Sequence, residues 1–331
     1  MNIINKTLLA ISLTSIASFS VYADTVIRIA HDSQPGSPLD KAFTSFEKDL
    51  EKTSNGTIDV ELYGAGQLGG VRETAEMVQE NNLQMTTAAS VLLSPIIPEF
   101  SVLDTFYMFD DREHAHRVLD SEAGQALLNA MDKKGYHGLG YPELGFRSFT
   151  NNDHPLKTVK DFEGLKIRSA ANPSQIAAWK AIGLSPIPLA WGEIYTSLQQ
   201  GLIDGQESAI DSIYTQRFYE VQKYLSLTDH MYSNHVLFTN NEFWSSLSDK
   251  DKNLINASIK KFIKNQRDLA GQQNEDTLDI LKKAGVIFNT VSPEVRAKLK
   301  SSLNSAIYEE IKQKTGTELY NLVIKATKEL R

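Results

Sequence analysis

Gly164-Leu165-Lys166-Ile167-Arg168-Ser169, followed closely by Asn172-Pro173-Ser174, is the stretch on which the fold turns. The first run reads as a short strand ending in arginine, and the second as the start of a helix. An always-charged guanidinium at such a strand end sits where α/β folds gather their ligand sites. A second arginine, Arg147 in Gly145-Phe146-Arg147-Ser148-Phe149-Thr150, also lies in a strand-like segment and is the natural co-ligand. Two such forks suit a carboxylate far better than a neutral ligand. Taken alone, each arginine is explained more readily by a structural ion pair or by snorkelling than by a ligand.

Outward from this stretch, the pattern on both sides is α/β. Val26 to Ala30 is β-rich, and Gly36-Ser37-Pro38 opens a helix whose Leu39, Phe43, Phe46 and Leu50 recur at helical spacing until Ser54-Asn55-Gly56. A strand over Thr57–Tyr63, a glycine-rich turn from Gly64 to Gly70, a helix over Val71–Glu80 and a strand over Met85–Ser90 follow. This order predicts a mostly parallel sheet with right-handed crossovers. A helix is predicted over Glu113–Lys134. After it come strands at His137–Tyr141, Phe146–Thr150, Lys166–Ser169 and Ser185–Leu189, with helices at Ser174–Ile182 and Gly192–Gln200. Beyond a strand at Asn234–Thr239, the charged amphipathic run Asp249–Lys283 is too long for one small lobe and is expected to span two. A strand at Val286–Thr290 and helices at Pro293–Lys314 and Thr317–Leu330 close the chain. The expectation is an α/β fold of two lobes, sheets flanked by helices and joined by hinge strands: 24–145 with about 233–272, and 146–232 with about 273–331.

Met1 to Lys6, the apolar run Thr7 to Ser20 and then Val21-Tyr22-Ala23 read as a signal peptide over 1–23, cleaved after Ala23. Its apolar core falls short of the about 20 residues a bilayer span needs. The expected location is therefore the periplasm. Cysteine is absent, which removes disulfides, thiolate metal sites, a cysteine nucleophile and a lipid-bearing cysteine. The 308 residues that remain of 331 favour two cores, and losing Lys6 takes the net charge from -7 to -8. With no basic run or arginine-aromatic stripe, nucleic acid is not an expected partner. The protein is read as a monomer.

The searches for catalytic machinery are weak. There is no Gly-x-Ser-x-Gly elbow; the glycines of Gly64–Gly70 are read as out of the Gly-x-Gly-x-x-Gly register and no lysine-serine pair completes a phosphate loop, so that segment is expected to be a tight strand-to-helix turn. His114 and His116, two apart on a predicted helix, point to different faces; they are read as solvated or capping residues, and neither metal nor cofactor is expected. His31 and Asp32 end the first strand and face the presumed cleft, where either could hold a substrate hydroxyl or simply meet water. Gln67, Arg72 and Glu73 hold the same position after the second strand. Trp191, at another strand end, offers a flat face to a ligand or to the core. Glu207 is read as a structural partner for an arginine, because it would repel an anion.

These residues resemble the solute-binding proteins of tripartite ATP-independent periplasmic (TRAP) transporters. The resemblance is carried by Gln67-Leu68-Gly69, Gly145-Phe146-Arg147, Asp161-Phe162-Glu163-Gly164-Leu165-Lys166-Ile167-Arg168, Gly183-Leu184-Ser185-Pro186-Ile187-Pro188, Glu193-Ile194-Tyr195-Thr196-Ser197-Leu198-Gln199, Asp204-Gly205-Gln206-Glu207 and Tyr219 to Tyr224, in order over essentially the whole chain after the signal peptide. It implies a two-lobed Venus-flytrap receptor that closes over an organic acid and hands it to a membrane permease driven by an ion gradient. It further implies that Arg168 forms the main salt bridge to the ligand carboxylate, that Arg147 assists, and that Trp191 lines the pocket. Ser208 stands where the family commonly has an asparagine ligand, and Ala89 where binders of the sialic acid type carry an acid. Asp211 joins the candidate ligand set. A smaller sugar acid or a C4-dicarboxylate is therefore expected over a nine-carbon sialic acid. The competing expectations are a secreted hydrolase or isomerase using Asp or Glu pairs in the same cleft, and a structural or adhesive protein.

Overall fold

The computed structural model describes residues 25–331, so the signal peptide expected over 1–23 lies outside the described residues. Ten strands form a connected sheet: β1 (Thr25–Ala30), β2 (Ile58–Tyr63), β3 (Met85–Ala89), β4 (Tyr136–Gly140), β5 (Glu143–Asn151), β6 (Lys166–Ser169), β7 (Ser185–Pro188), β8 (Gly205–Ala209), β9 (Tyr224–Asn240) and β10 (Ile287–Thr290). Their order is β2-β1-β3-β9-β5-β8-β6-β7, with β4 and β10 also on β9.

The 17-residue β9 organises the two lobes. Its last residues pair with β3 and β4, whereas its first residues pair with β5 and β10. The parallel order expected of the first three strands is present, and the strands that cross between lobes add antiparallel pairings to it. β1–β2, β1–β3, β6–β7, β6–β8 and β9–β10 are parallel, but β9 runs antiparallel to β3, β4 and β5, and β5 antiparallel to β8. The chain crosses between lobes on β5 and returns on β9, so the two connecting strands meet head to tail. Only the second half of β9 was expected from its sequence. The stretch from Leu225 is buried on nearly every residue, polar Thr228, His230 and Ser233 included, so the alternation that marks a half-exposed strand is missing.

The helix expected over Glu113–Lys134 is broken into Arg112–Leu119, Glu122–Ala130 and a short 3-10 turn at Met131–Lys134. Ser121 caps the second piece by accepting from the Ala123 N–H, and a Cβ on Gly124 would lie 1.8 Å from the Leu119 carbonyl oxygen. Only glycine permits that approach. His114 and His116 are not solvated: His114 is buried, accepts from the Asp110 N–H and lies 2.8 Å from the Thr327 oxygen, while His116 lies 2.9 Å from Glu143.

The helix Asp249–Lys283 has the predicted bounds and starts at Ser248, whose hydroxyl accepts from the Asp251 N–H. Near one end Phe262 packs at 4.5 Å from Phe43 and 5.8 Å from Phe46, ring centre to ring centre, on the helix Pro38–Thr53. Near the other, Gln273 bonds Asp211 on the helix Ile210–Thr215. The same helix thus braces both lobes. Behind the cleft a continuous apolar core joins them, with Trp179 at 5.0 Å from Phe106 and 5.3 Å from Phe149, all three fully buried. Each such side chain contributes about 1.5–3 kcal/mol by leaving water. The helix Pro293–Thr315 covers this core, and Thr317–Glu329 packs on the two helices split at Ser121.

Candidate functional site

Arg168 is the third residue of β6, and the chain turns from that strand into the helix Pro173–Ala181, capped by Asn172. The guanidinium is buried, with 2% of the residue exposed. Its Nε and Nη2 both donate to the Leu189 carbonyl oxygen at 3.1 Å, and its Cζ lies 5.5 Å from the centre of the Trp191 ring. Among the described residues no carboxylate approaches it within salt-bridge distance. Burial presses its pKa down to about 10, Glu207 and Asp32 pulling the other way and Arg147 adding repulsion. A buried charge without a counter-ion is costly, and an incoming anion relieves that cost.

Arg147, on β5, is as deeply buried but differently used. Its Nε donates to Glu207 Oε2 at 2.6 Å, and Nη2 donates to Glu207 Oε1 at 2.9 Å and to the Glu207 carbonyl oxygen at 2.8 Å. Glu207 thus holds the structural place anticipated for it. Burial pushes its carboxyl up, but Arg147 and His230 outweigh burial and hold it at about 2. His230, whose pKa burial lowers against the opposing pull of Glu207, lies 3.1 Å from Glu207 through Nε2 and 2.9 Å from the Thr228 hydroxyl through Nδ1. Arg147 is a clamp with one face already neutralised.

Between these arginines and the opposite lobe lies a cavity whose walls include Asp32, Ala89, Arg147, Arg168, Trp191 and Asp211. A wider mouth opens from it past Arg72, Glu73, Gly69 and Gly192. Burial raises the carboxyls of Asp32 and Asp211 to about 6 each, against the pull of Arg168 on the first and of Gln273 on the second.

Other candidates stand elsewhere. His31 does not reach the cavity wall: its ring stacks on Phe43 at 5.2 Å and lies 3.8 Å from Asp40, and a Cβ on Gly64 would come within 3.0 Å of it. Ser208 is fully buried with no partner for its hydroxyl and also stays off the wall. Successive strand residues face opposite ways, and its neighbour Glu207 takes the arginine side. Gln67 is not part of either opening, while Arg72 pairs with Glu76 at 3.0 Å on the exposed helix face. Gly64, Gly66 and Gly69 do have Gly-x-Gly-x-x-Gly spacing, but the Glu73 carboxylate accepts from the Gly70 N–H at 2.9 Å and occupies the helix start a pyrophosphate would need. His235 is the residue that reading the sequence missed. It lies beside Ala89 in the β3–β9 pairing, on the cavity wall, 3% exposed, with neither ring nitrogen hydrogen-bonded. A histidine in an otherwise apolar strand end, Val236-Leu237-Phe238, was its only signal.

Among the described residues no cluster of metal-ligating side chains occurs, and no helix is long and apolar enough to cross a membrane. The C4-dicarboxylate-binding periplasmic protein DctP of Rhodobacter capsulatus is 32% identical over 306 residues, 92% of this chain and 91% of that one. The 2,3-diketo-L-gulonate-binding periplasmic protein YiaO of Escherichia coli is 32% identical over 279 residues, 84% and 85% of the two chains. Among solved structures, the sugar acid binding protein of Advenella mimigardefordensis in complex with galactonate superposes with a TM-score of 0.88 at 32% identity, covering 92% of this chain and 98% of that one. The profile of the bacterial extracellular solute-binding proteins, family 7, matches residues 29–314. Fold, cleft and sequence agree, and the chain belongs to that family of non-enzymatic solute receptors working outside the cytoplasm.

Proposed function

We propose that this receptor closes its lobes over a small organic acid, grips the carboxylate with Arg168, and delivers the acid to a TRAP permease for uptake driven by an ion gradient. The observation that carries the reading is the guanidinium of Arg168, buried at a cavity wall with a single carbonyl oxygen as partner. An acid carboxylate supplies the missing charge and a bidentate geometry. Arg147 assists through the Nη1 that Glu207 leaves free, and Trp191 lies against the ligand's apolar face. Asp32, Asp211 and Ala89 complete the walls, while Gln67, Arg72, Glu73, His31 and Ser208 act at most from behind them or from the mouth. The relatives named above, which bind a C4-dicarboxylate, a diketo-gulonate and galactonate, support a small organic acid. Family membership gives the hydrolase or isomerase reading no support.

The lobes divide at 24–145 with about 233–272, and at 146–232 with about 273–331, a reading supported by the change of β9's partners near Asn234. The helix Thr317–Glu329 reaches back across that division onto the first lobe. Export to the periplasm is accompanied by cleavage after Ala23, which intact mass measurement of the exported protein tests: a mature mass that does not correspond to a chain starting at Asp24 refutes it. The function is tested by a thermal-shift screen over dicarboxylates, uronates, aldonates and keto-sugar acids. At 100 times its dissociation constant a ligand adds about 2.7 kcal/mol to stability. An upward shift with an acid recovered unchanged after long incubation supports the reading, and a screen without any shift sinks it.

A further inference from the structure

Charge counting around the cavity narrows the ligand class, on the reading that Arg168 takes a carboxylate. The walls carry two cations, Arg147 and Arg168, and no lysine. Arg147 is already neutralised by Glu207. Only Arg168 carries a charge that no carboxylate of the protein offsets, and the free Nη1 of Arg147 adds a donor but no net charge. The walls also carry three carboxyls: Glu143, held by Arg112 at 2.6 Å and His116 at 2.9 Å, and Asp32 and Asp211, which make no salt bridge. A second ligand carboxylate would find no second unpaired cation and two acids of its own sign.

Hydroxyl groups find what a carboxylate does not. Asp32 and Asp211 accept from O–H donors, and His235 offers both a ring N–H and a ring acceptor, each without a partner inside the protein. Burial and the nearby His31 press the His235 pKa down to about 3, so the ring is neutral and has both capacities at once. Gln266, also on the wall, is spent: it accepts from the Glu143 N–H at 2.6 Å and donates to the Glu143 carbonyl at 2.8 Å. His235, beside Ala89 and on the opposite lobe from β6, is thus the unpartnered side chain that a ligand must satisfy.

We infer that the ligand is a polyhydroxylated monocarboxylate, with its acid end on Arg168 and a hydroxyl on His235, and that His235 is the residue selecting it over a dicarboxylate. A site built to bond a hydroxyl penalises a ligand that lacks it, because the buried polar group stays unpaired.

The test is calorimetric titration of the wild-type protein with galactonate, gluconate, glucuronate, succinate and malate, alongside His235→Asn and His235→Phe whose folding is checked by melting curves. At least one hydroxylated monoacid is expected to bind about 100-fold or more tightly than succinate. Both variants should weaken the hydroxylated acid by about 10-fold or more, Phe more than Asn, with succinate little changed. Succinate or malate binding as tightly as any hydroxylated acid overturns the inference while leaving the receptor reading intact. Loss of all acid binding in the wild type overturns the receptor reading itself. Should both variants fail to fold, the wild-type panel decides alone.

Discussion

Replacing Arg168 by methionine should separate two effects that a structural ion pair would couple. Within the protein the guanidinium is buried against one carbonyl oxygen, with a pKa pressed down to about 10. At ~1.4 kcal/mol for each pH unit, that disfavours the charged form by ~3 kcal/mol relative to water. Methionine fills comparable volume without the charge, so the empty variant should melt no lower than wild type. Binding should move the other way. Removing one member of a buried charge pair costs about 2–5 kcal/mol, which is a loss of roughly 30-fold to several thousand-fold in affinity. For a micromolar ligand, calorimetry would then register little or no heat. Arg168→Lys keeps the charge but not the fork and should fall between the two. Calorimetry paired with melting curves of the empty proteins reads both effects. An Arg168→Met protein that binds the acid within twofold of wild type, or that melts well below it when empty, would show that Arg168 serves the fold and not the ligand.

Glu207→Gln strips the counter-ion from Arg147 and should destabilise the protein by about 3–5 kcal/mol in urea titration; a loss under 1 kcal/mol would show that the pair is not needed. Asp104, buried and accepting from Asn172 at 2.9 Å and Ser94 at 2.8 Å, has its pKa raised to about 7, chiefly by burial. Its contribution is therefore complete below pH ~4, where folded and unfolded forms are both protonated, and is lost as pH rises toward 7. The wild-type melting temperature should accordingly fall over that range more than that of Asp104→Asn, and parallel profiles for the two would count against it. Gly124→Ala places a methyl 1.8 Å from the Leu119 oxygen and should cost about 1–3 kcal/mol by chemical denaturation; a neutral result would mean that the two helices shift apart freely.

Much of this architecture is local and so was legible in the chain. The charged amphipathic period placed Asp249–Lys283, and the Ser248 cap that the structure shows at its start is likewise a local contact. The strand Lys166–Ser169, ending beside Arg168 and followed by a proline-initiated helix, was equally plain. What the tertiary structure decided is which of the strand-end residues meet. Arg147 and Glu207 lie 60 residues apart in sequence and join only because β5 and β8 pair. That pairing commits one arginine to the protein and leaves the other for a ligand. His235 becomes a wall residue because a strand buried on both faces carries it across from Ala89. His31, one residue before Asp32, turns instead into the Phe43 core. Side-chain direction at a strand end and the pairing of charges across a sheet depend on register, which long-range packing fixes and which no window of the sequence contains.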